Sequence, residues 1–168
     1  MGANIQFPNL EIEIVEEDEA VFYRFKGDVD ENFQHSKVTR MKKDKLILEL
    51  GGIRLFNSCG IREWIYFMRD MAEHGSLIFR ECSVAMIDQI NLVPDSLSGG
   101  VIESLYAPYF CECRGEVNKL IRVSDFRESL TNKVAPNFPC KKCGKDLEFD
   151  ALEESYFLFA NSTIPKVG

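Results

Sequence analysis

Four of the six cysteines stand in two close pairs, Cys111-Glu-Cys113 and Cys140-Lys-Lys-Cys143-Gly144, separated by a stretch that can fold back as a hairpin around Gly115. Four thiolates satisfy a tetrahedral zinc ion at about 2.3 Å each, and a glycine just past the last cysteine permits a tight knuckle whose backbone can hydrogen-bond the sulfurs. The second pair has the usual knuckle spacing, and the first is one residue shorter. Four sulfur ligands leave no open coordination position, so the expected ion is a structural zinc held by Cys111, Cys113, Cys140 and Cys143. Disulfides are the competing reading, which a reducing compartment disfavours. Residues 107–149 carry few large apolar side chains beyond Tyr109, Phe110, Leu120, Ile121 and Phe138. They need such a staple, which can supply on the order of 10 kcal/mol to folding at neutral pH.

A fifth thiol has different surroundings. The apolar run Leu46-Ile-Leu-Glu-Leu50 passes through Gly51-Gly52 and Ile53-Arg-Leu-Phe56 into Asn57-Ser58-Cys59-Gly60, and an amphipathic helix follows from Ile61. Cys59 therefore sits at a helix N-terminus, where free N–H groups and the positive end of the dipole favour an anion, whether phosphate, carboxylate or thiolate. A catalytic thiol needs a histidine within hydrogen-bond reach. His74 lies farther along the same helix, about 22 Å away at 1.5 Å per residue, and His35 reads as a surface residue of a polar loop. Cys82, at a strand end, reads as a buried, inert small hydrophobe. There is no Gly-x-x-x-x-Gly-Lys phosphate loop, no His-Glu-x-x-His and no Gly-x-Ser-x-Gly elbow. These absences favour a binding protein over an enzyme.

Charge narrows the partners. The formal net charge is −7, with acids clustered at Glu11 to Glu19 and Glu148 to Glu154, so no broad basic surface is offered to nucleic acid. A nucleic-acid reading of the cysteine-rich stretch through Arg114, Lys141, Lys142 and Lys145 is weakened by these acidic surroundings. The basic run Arg40-Met-Lys-Lys-Asp-Lys45 reads as a solvated loop. No stretch approaches the roughly 18 apolar residues of a membrane span, and no basic segment followed by an apolar one opens the chain. A cytoplasmic setting is the resulting expectation.

The periodicities predict the elements that carry these residues. Leu10 to Val15 and Ala20 to Phe25 alternate around an acidic turn and suggest a hairpin. Leu46 to Leu50 reads as a strand covered on both faces, with turns at Gly51-Gly52 and Gly99-Gly100. The helix after Gly60 places Ile61, Trp64, Ile65, Met68, Met71 and Ala72 on one stripe and stops at His74-Gly75. Ser76 to Phe79 makes a strand, Ser83 caps a helix that Pro94 closes, and Val101 to Leu105 makes the next strand. Alternating strands and helices imply an α/β fold, a mixed sheet with packed helices and parallel strands joined by crossovers. Residues 1–106 form the main domain, 107–149 an inserted zinc-ribbon-like segment, and a last helix over 150–161, opened by an Asp150-Ala-Leu-Glu153 capping box, completes the domain. Ser124 to Asn137 is the linker candidate. The aromatic run Tyr156-Phe157-Leu-Phe159 offers more apolar surface than one stripe needs, hinting at a homodimer or partner contact.

This order, with Phe56-Asn57-Ser58-Cys59-Gly60-Ile61 opening a helix directly after a buried strand, resembles a STAS domain, the module named for sulfate transporters and anti-sigma-factor antagonists, over about residues 10 to 106. In that family the junction reads Asp-Ser-Ser or Asp-Ser-Thr before Gly, and the hydroxyl residue preceding the glycine is phosphorylated by a partner kinase that is also an anti-sigma factor. Cys59 stands at that place here and Asn57 replaces the aspartate. A phosphate would add nearly two negative charges at the contact surface and expel a docked partner. An unmodified thiol resembles the unphosphorylated, partner-binding state in size. The resemblance thus implies a non-enzymatic regulator that docks a signalling protein, such as an anti-sigma-type kinase, through Asn57, Ser58, Cys59, Gly60, Arg62 and Glu63. The alternative is a thiol-based redox sensor or enzyme centred on Cys59, in which oxidation supplies the charge.

Overall fold

A computed structural model describes residues 2–164. A six-stranded mixed sheet runs in chain order through β1 (Gly2–Gln6), β2 (Leu10–Glu16), β3 (Ala20–Val29), β4 (Lys45–Phe56), β5 (Ser76–Arg80) and β6 (Val101–Ile102). The first two pairings are antiparallel and β3 to β6 are parallel, so the chain is α/β as its periodicity predicts. The predicted hairpin is β2–β3, with Leu10 opposite Gly27 and Glu16 opposite Val21. Its partner β1, exposed along most of its length, has no apolar alternation to announce it.

The crossovers are α1 (Ser58–Ala72) between β4 and β5, and α2 (Val84–Leu92) with a 3-10 turn at Pro94–Leu97 between β5 and β6. The Asn57 side chain accepts from the Gly60 amide and starts α1 three residues before Ile61; Ser83 accepts from the Met86 amide and caps α2 as expected. Within α1 the buried face is Gly60, Trp64, Phe67, Met68 and Met71. Ile61 and Ile65 are half-buried and Ala72 is exposed, so Phe67 takes the place that a stripe centred on Ile61 would give them. The Trp64 ring packs against Phe25, Phe56 and Phe67, and its N–H donates to the Ser96 carbonyl at 3.1 Å.

One expectation about β4 is corrected. Gly51 and Gly52 are not a turn: the strand continues to Phe56, and the ladder to β3 absorbs the glycines through register shifts near Lys26 and Asp28. The expected cover on both faces holds over Leu46 to Leu50 except at half-buried Glu49, with Ile47 buried on the face opposite the leucines. Leu46, Leu48 and Leu50 are buried in the core, whereas Glu49 pairs with Arg24, which also reaches Glu13 at 3.1 Å. The apolar content reflects a deep core on one face and buried Ile47 beside an ionic row on the other.

After β6 the chain passes into a three-stranded antiparallel sheet of order β8-β7-β9, comprising β7 (Ser104–Cys111), β8 (Gly115–Arg122) and β9 (Glu148–Phe149). An isolated parallel bridge, Cys82 to Leu105, joins β7 to the main layer, and the junction between residues 106 and 107 falls inside β7. The expected linker is folded against this sheet. It contains α3 (Arg127–Thr131) with Leu130 buried, and its Pro136 carbonyl accepts from the buried Tyr109 hydroxyl at 2.6 Å. Tyr109→Phe strands that carbonyl, and we expect a stability loss of about 1–3 kcal/mol, read as a lower denaturant midpoint at unchanged m-value.

The single last helix is also replaced. Two short helices, α4 (Glu153–Tyr156) and α5 (Ala160–Thr163), flank a turn, and Asp150 caps neither. Glu153 instead accepts from the Ala135 amide at 2.9 Å. Tyr156, Phe157 and Phe159 are buried: Phe157 stacks on Phe149 at 5.2 Å, and the Tyr156 hydroxyl donates to the Tyr106 carbonyl at 2.6 Å. The aromatic surplus is thus spent inside the molecule, closing the small sheet against α2 through Asn91, which bonds both Tyr156 and Phe159.

Candidate functional site

The β7–β8 hairpin brings the first cysteine pair to its tip. Cys111 ends β7, the Arg114 amide donates to the Cys111 carbonyl at 3.0 Å, and Gly115 begins β8 with φ +76°. The second pair occupies a matching turn: the Gly144 amide donates to the Cys140 carbonyl at 2.8 Å, Gly144 has φ +75°, and the Cys140 amide donates to Lys145 at 2.7 Å. Pro139 bridges Asp146 below it. Positive φ at both turns explains glycine there.

The two turns face each other and place all four sulfurs within 4.8 Å of one another. Cys111 Sγ lies 3.4 Å from Cys113 and 3.5 Å from Cys143, and Cys113 lies 3.5 Å from Cys140. None is in a disulfide. Sulfurs bound tetrahedrally at about 2.3 Å stand roughly 3.8 Å apart, so the cluster has the size of a four-sulfur metal site. Its electrostatics point the same way. The amides of Cys143 and Lys142 pull the Cys140 thiol down to about 6. Desolvation, with the neighbouring thiols of Cys111, Cys140 and Cys143, pushes Cys113 up to about 12. One thiolate forms readily and the next is opposed by it, an imbalance that a bound cation removes. Exposed Arg114, Lys141, Lys142 and Lys145 surround the cluster, interleaved with Glu112, Asp146 and Glu148.

The β4–α1 junction is built differently. Asn57 donates to the Glu31 carboxylate while accepting from Gly60, so a carboxylate already sits beside the α1 N-terminus. Gly60 is buried against the end of β3, where a Cβ would fall 1.8 Å from the Val29 carbonyl oxygen. Glu63 is half-buried; partial burial alone would raise its carboxyl, but His35 bonding through ring and amide brings it below the usual range. His35 is engaged with Glu63 at 2.6 Å and lies 3.9 Å from Asp70. Of the six expected contact residues, Ser58, Cys59 and Arg62 are therefore exposed, and Asn57, Gly60 and Glu63 hold the junction in place. Beside the exposed three lie Leu55 and Tyr66, 51% and 44% exposed, which sequence reasoning did not single out. Leu55 follows the alternation of a buried strand, so only the fold exposes it; Tyr66 lies off the apolar stripe of α1, on the face of Arg62 and Arg69, a signal the sequence already carried.

Cys82 is fully buried, and its thiol is raised by desolvation, as an inert core residue requires. Among the described residues no helix is long and apolar enough to cross a membrane. No family model matches the chain, and no curated protein matches it.

Proposed function

We propose that this protein is a non-enzymatic regulator of the STAS, anti-sigma-factor-antagonist type, which docks a signalling protein through the β4–α1 junction. The carrying observation is the exposed stripe of α1, Cys59, Arg62 and Tyr66 at helical spacing, flanked by Ser58 and Leu55 and held on a scaffold fixed by Asn57 and Gly60. An apolar pair around a small polar centre suits a protein surface. The fitting partner is an anti-sigma-type kinase or a related signalling protein. Cys59 stands where a phosphorylatable hydroxyl would end docking, so docking here is constitutive.

The four-cysteine cluster holds a structural zinc, since four thiolates close the tetrahedron and leave no position for substrate. Six cysteines with no disulfide among them suit a reducing, cytoplasmic setting.

The test is affinity capture from the source cell. Wild type is expected to retain a kinase-like or sigma-regulating protein that Cys59→Asp loses by at least about tenfold, a change equivalent to about 1.4 kcal/mol. Cys59→Ser, which keeps size and removes thiol chemistry, is expected to retain it. Equal retention by wild type and Cys59→Asp would sink the docking reading, and loss in Cys59→Ser would favour a thiol-based sensor instead.

A further inference from the structure

We infer that two copies of this chain associate through β8, pairing it antiparallel with itself so that Glu116 of each copy lies opposite Arg122 of the second copy. Among the described residues, β8 is the outer strand of its sheet, with β7 on one side only. Which of its backbone groups face outward follows from three contacts. The Val123 amide bonds across to the Glu103 carbonyl at 3.0 Å, immediately beyond the opposed pair Ser104 and Arg122. Pro108, which has no N–H, stands opposite Asn118, and its carbonyl accepts from Asp150 on the far side of β7. Bonded and non-bonded pairs alternate along an antiparallel ladder. Val117, Lys119 and Ile121 therefore exchange bonds with β7, and Glu116, Asn118, Leu120 and Arg122 aim their amides and carbonyls at the open edge.

The side chains of those same four residues are exposed. The strand contains no proline and spans Gly115–Arg122, long enough to template another strand. Across the new edge, outward-facing residues must stand opposite outward-facing ones, and the residues bonded to β7 opposite one another. A two-fold axis at Lys119 sets Glu116 against Arg122 and Asn118 against Leu120, each twice, and uses the whole strand. Sliding by one pleat repeat in either direction sets Asn118 or Leu120 against itself and loses both ionic pairs. The Lys119 side chains meet at the axis, but each ammonium lies over the Phe138 ring of its own chain at 5.1 Å, which draws the two charges apart. The product is one continuous sheet across the two copies, made independently of the β4–α1 face.

Sedimentation equilibrium of the metal-loaded full chain tests this. Wild type is expected to approach twice 19.2 kDa as concentration rises. Leu120→Pro removes an edge-facing amide without touching the β7 ladder, and is expected to remain at 19.2 kDa with a far-UV spectrum like that of wild type. Glu116→Arg and Arg122→Glu are each expected to weaken association about tenfold or more, and the double variant to recover it. A wild type that stays monomeric throughout, a dimer that survives Leu120→Pro, or a charge swap that fails to recover association would each overturn the inference.

Discussion

Chelating the proposed zinc, or replacing Cys140 with serine, is expected to lower the melting temperature by about 10 °C or more and to loosen the small sheet before the main one. The first turn carrying Cys111 and Cys113 ends β7, and the second, carrying Cys140 and Cys143, leads into β9 through the Pro139–Asp146 bridge. At their tips the turns are tied by the cluster and by one exposed bond, from the Lys142 ammonium to the Cys113 carbonyl at 3.4 Å. Below it, Tyr109 packs edge-on against Phe138 and Phe149, and Phe149 stacks on Phe157, so releasing the turns exposes an aromatic core. Structural zinc can supply on the order of 10 kcal/mol, and even a fraction of that exceeds what the remaining contacts of a short ribbon provide. Cys140 is buried and Cys143 exposed, so Cys140→Ser is expected to cost more than Cys143→Ser. Thermal unfolding followed by circular dichroism, with metal content measured on the same samples, checks both statements. A chelated protein that melts with the loaded one would show that the cluster is not a staple.

What could be read in the residues before the fold was local and chemical. Ser83 announces α2 because a hydroxyl ahead of an apolar period satisfies an orphan amide, and it does so here. The cysteine pairs announce their cluster because ligand spacing is short-range, and the turns at Gly115 and Gly144 need glycine wherever they lie. Reading failed where the deciding contact is distant in sequence. Gly51-Gly52 resembles a turn, but the neighbouring β3 absorbs it as an irregular ladder. Asp150-Ala-Leu-Glu153 has the spacing of a capping box, but Glu153 finds the Ala135 amide and the helix stops after one turn. At the β4–α1 junction, Asn57 through Glu63 could be named but not sorted. Which of them are structural depends on Val29, Glu31 and His35, each supplied by another part of the chain.

Gly60→Ala is expected to destabilise the protein by about 4 kcal/mol or more, against the ordinary helix preference, by which alanine gains about 1 kcal/mol over glycine. The reason is contact rather than dihedral angle. An added Cβ would meet the Val29 carbonyl oxygen at 1.8 Å, its carbon at 2.4 Å and the Asp30 nitrogen at 2.8 Å, all backbone that cannot rotate away. That backbone is itself anchored: the Asn57 amide donates to the Val29 carbonyl at 3.2 Å, and the Asp30 carboxylate accepts from Asn9 at 2.7 Å and from the Asn32 amide at 2.9 Å. Relief therefore requires α1 to move outward. Trp64, Phe67, Met68 and Met71 are fully buried on the same helix, so any such movement opens the core beneath them. Denaturant titration of Gly60→Ala beside Ser58→Ala, which changes an exposed side chain, measures the difference. A Gly60→Ala protein at least as stable as wild type would mean that α1 does not rest against the end of β3. The same contact determines which variants can speak about docking. Loss of a partner in Gly60→Ala would report a displaced helix, whereas loss in Cys59→Asp at unchanged melting temperature can come only from the surface that Cys59 presents.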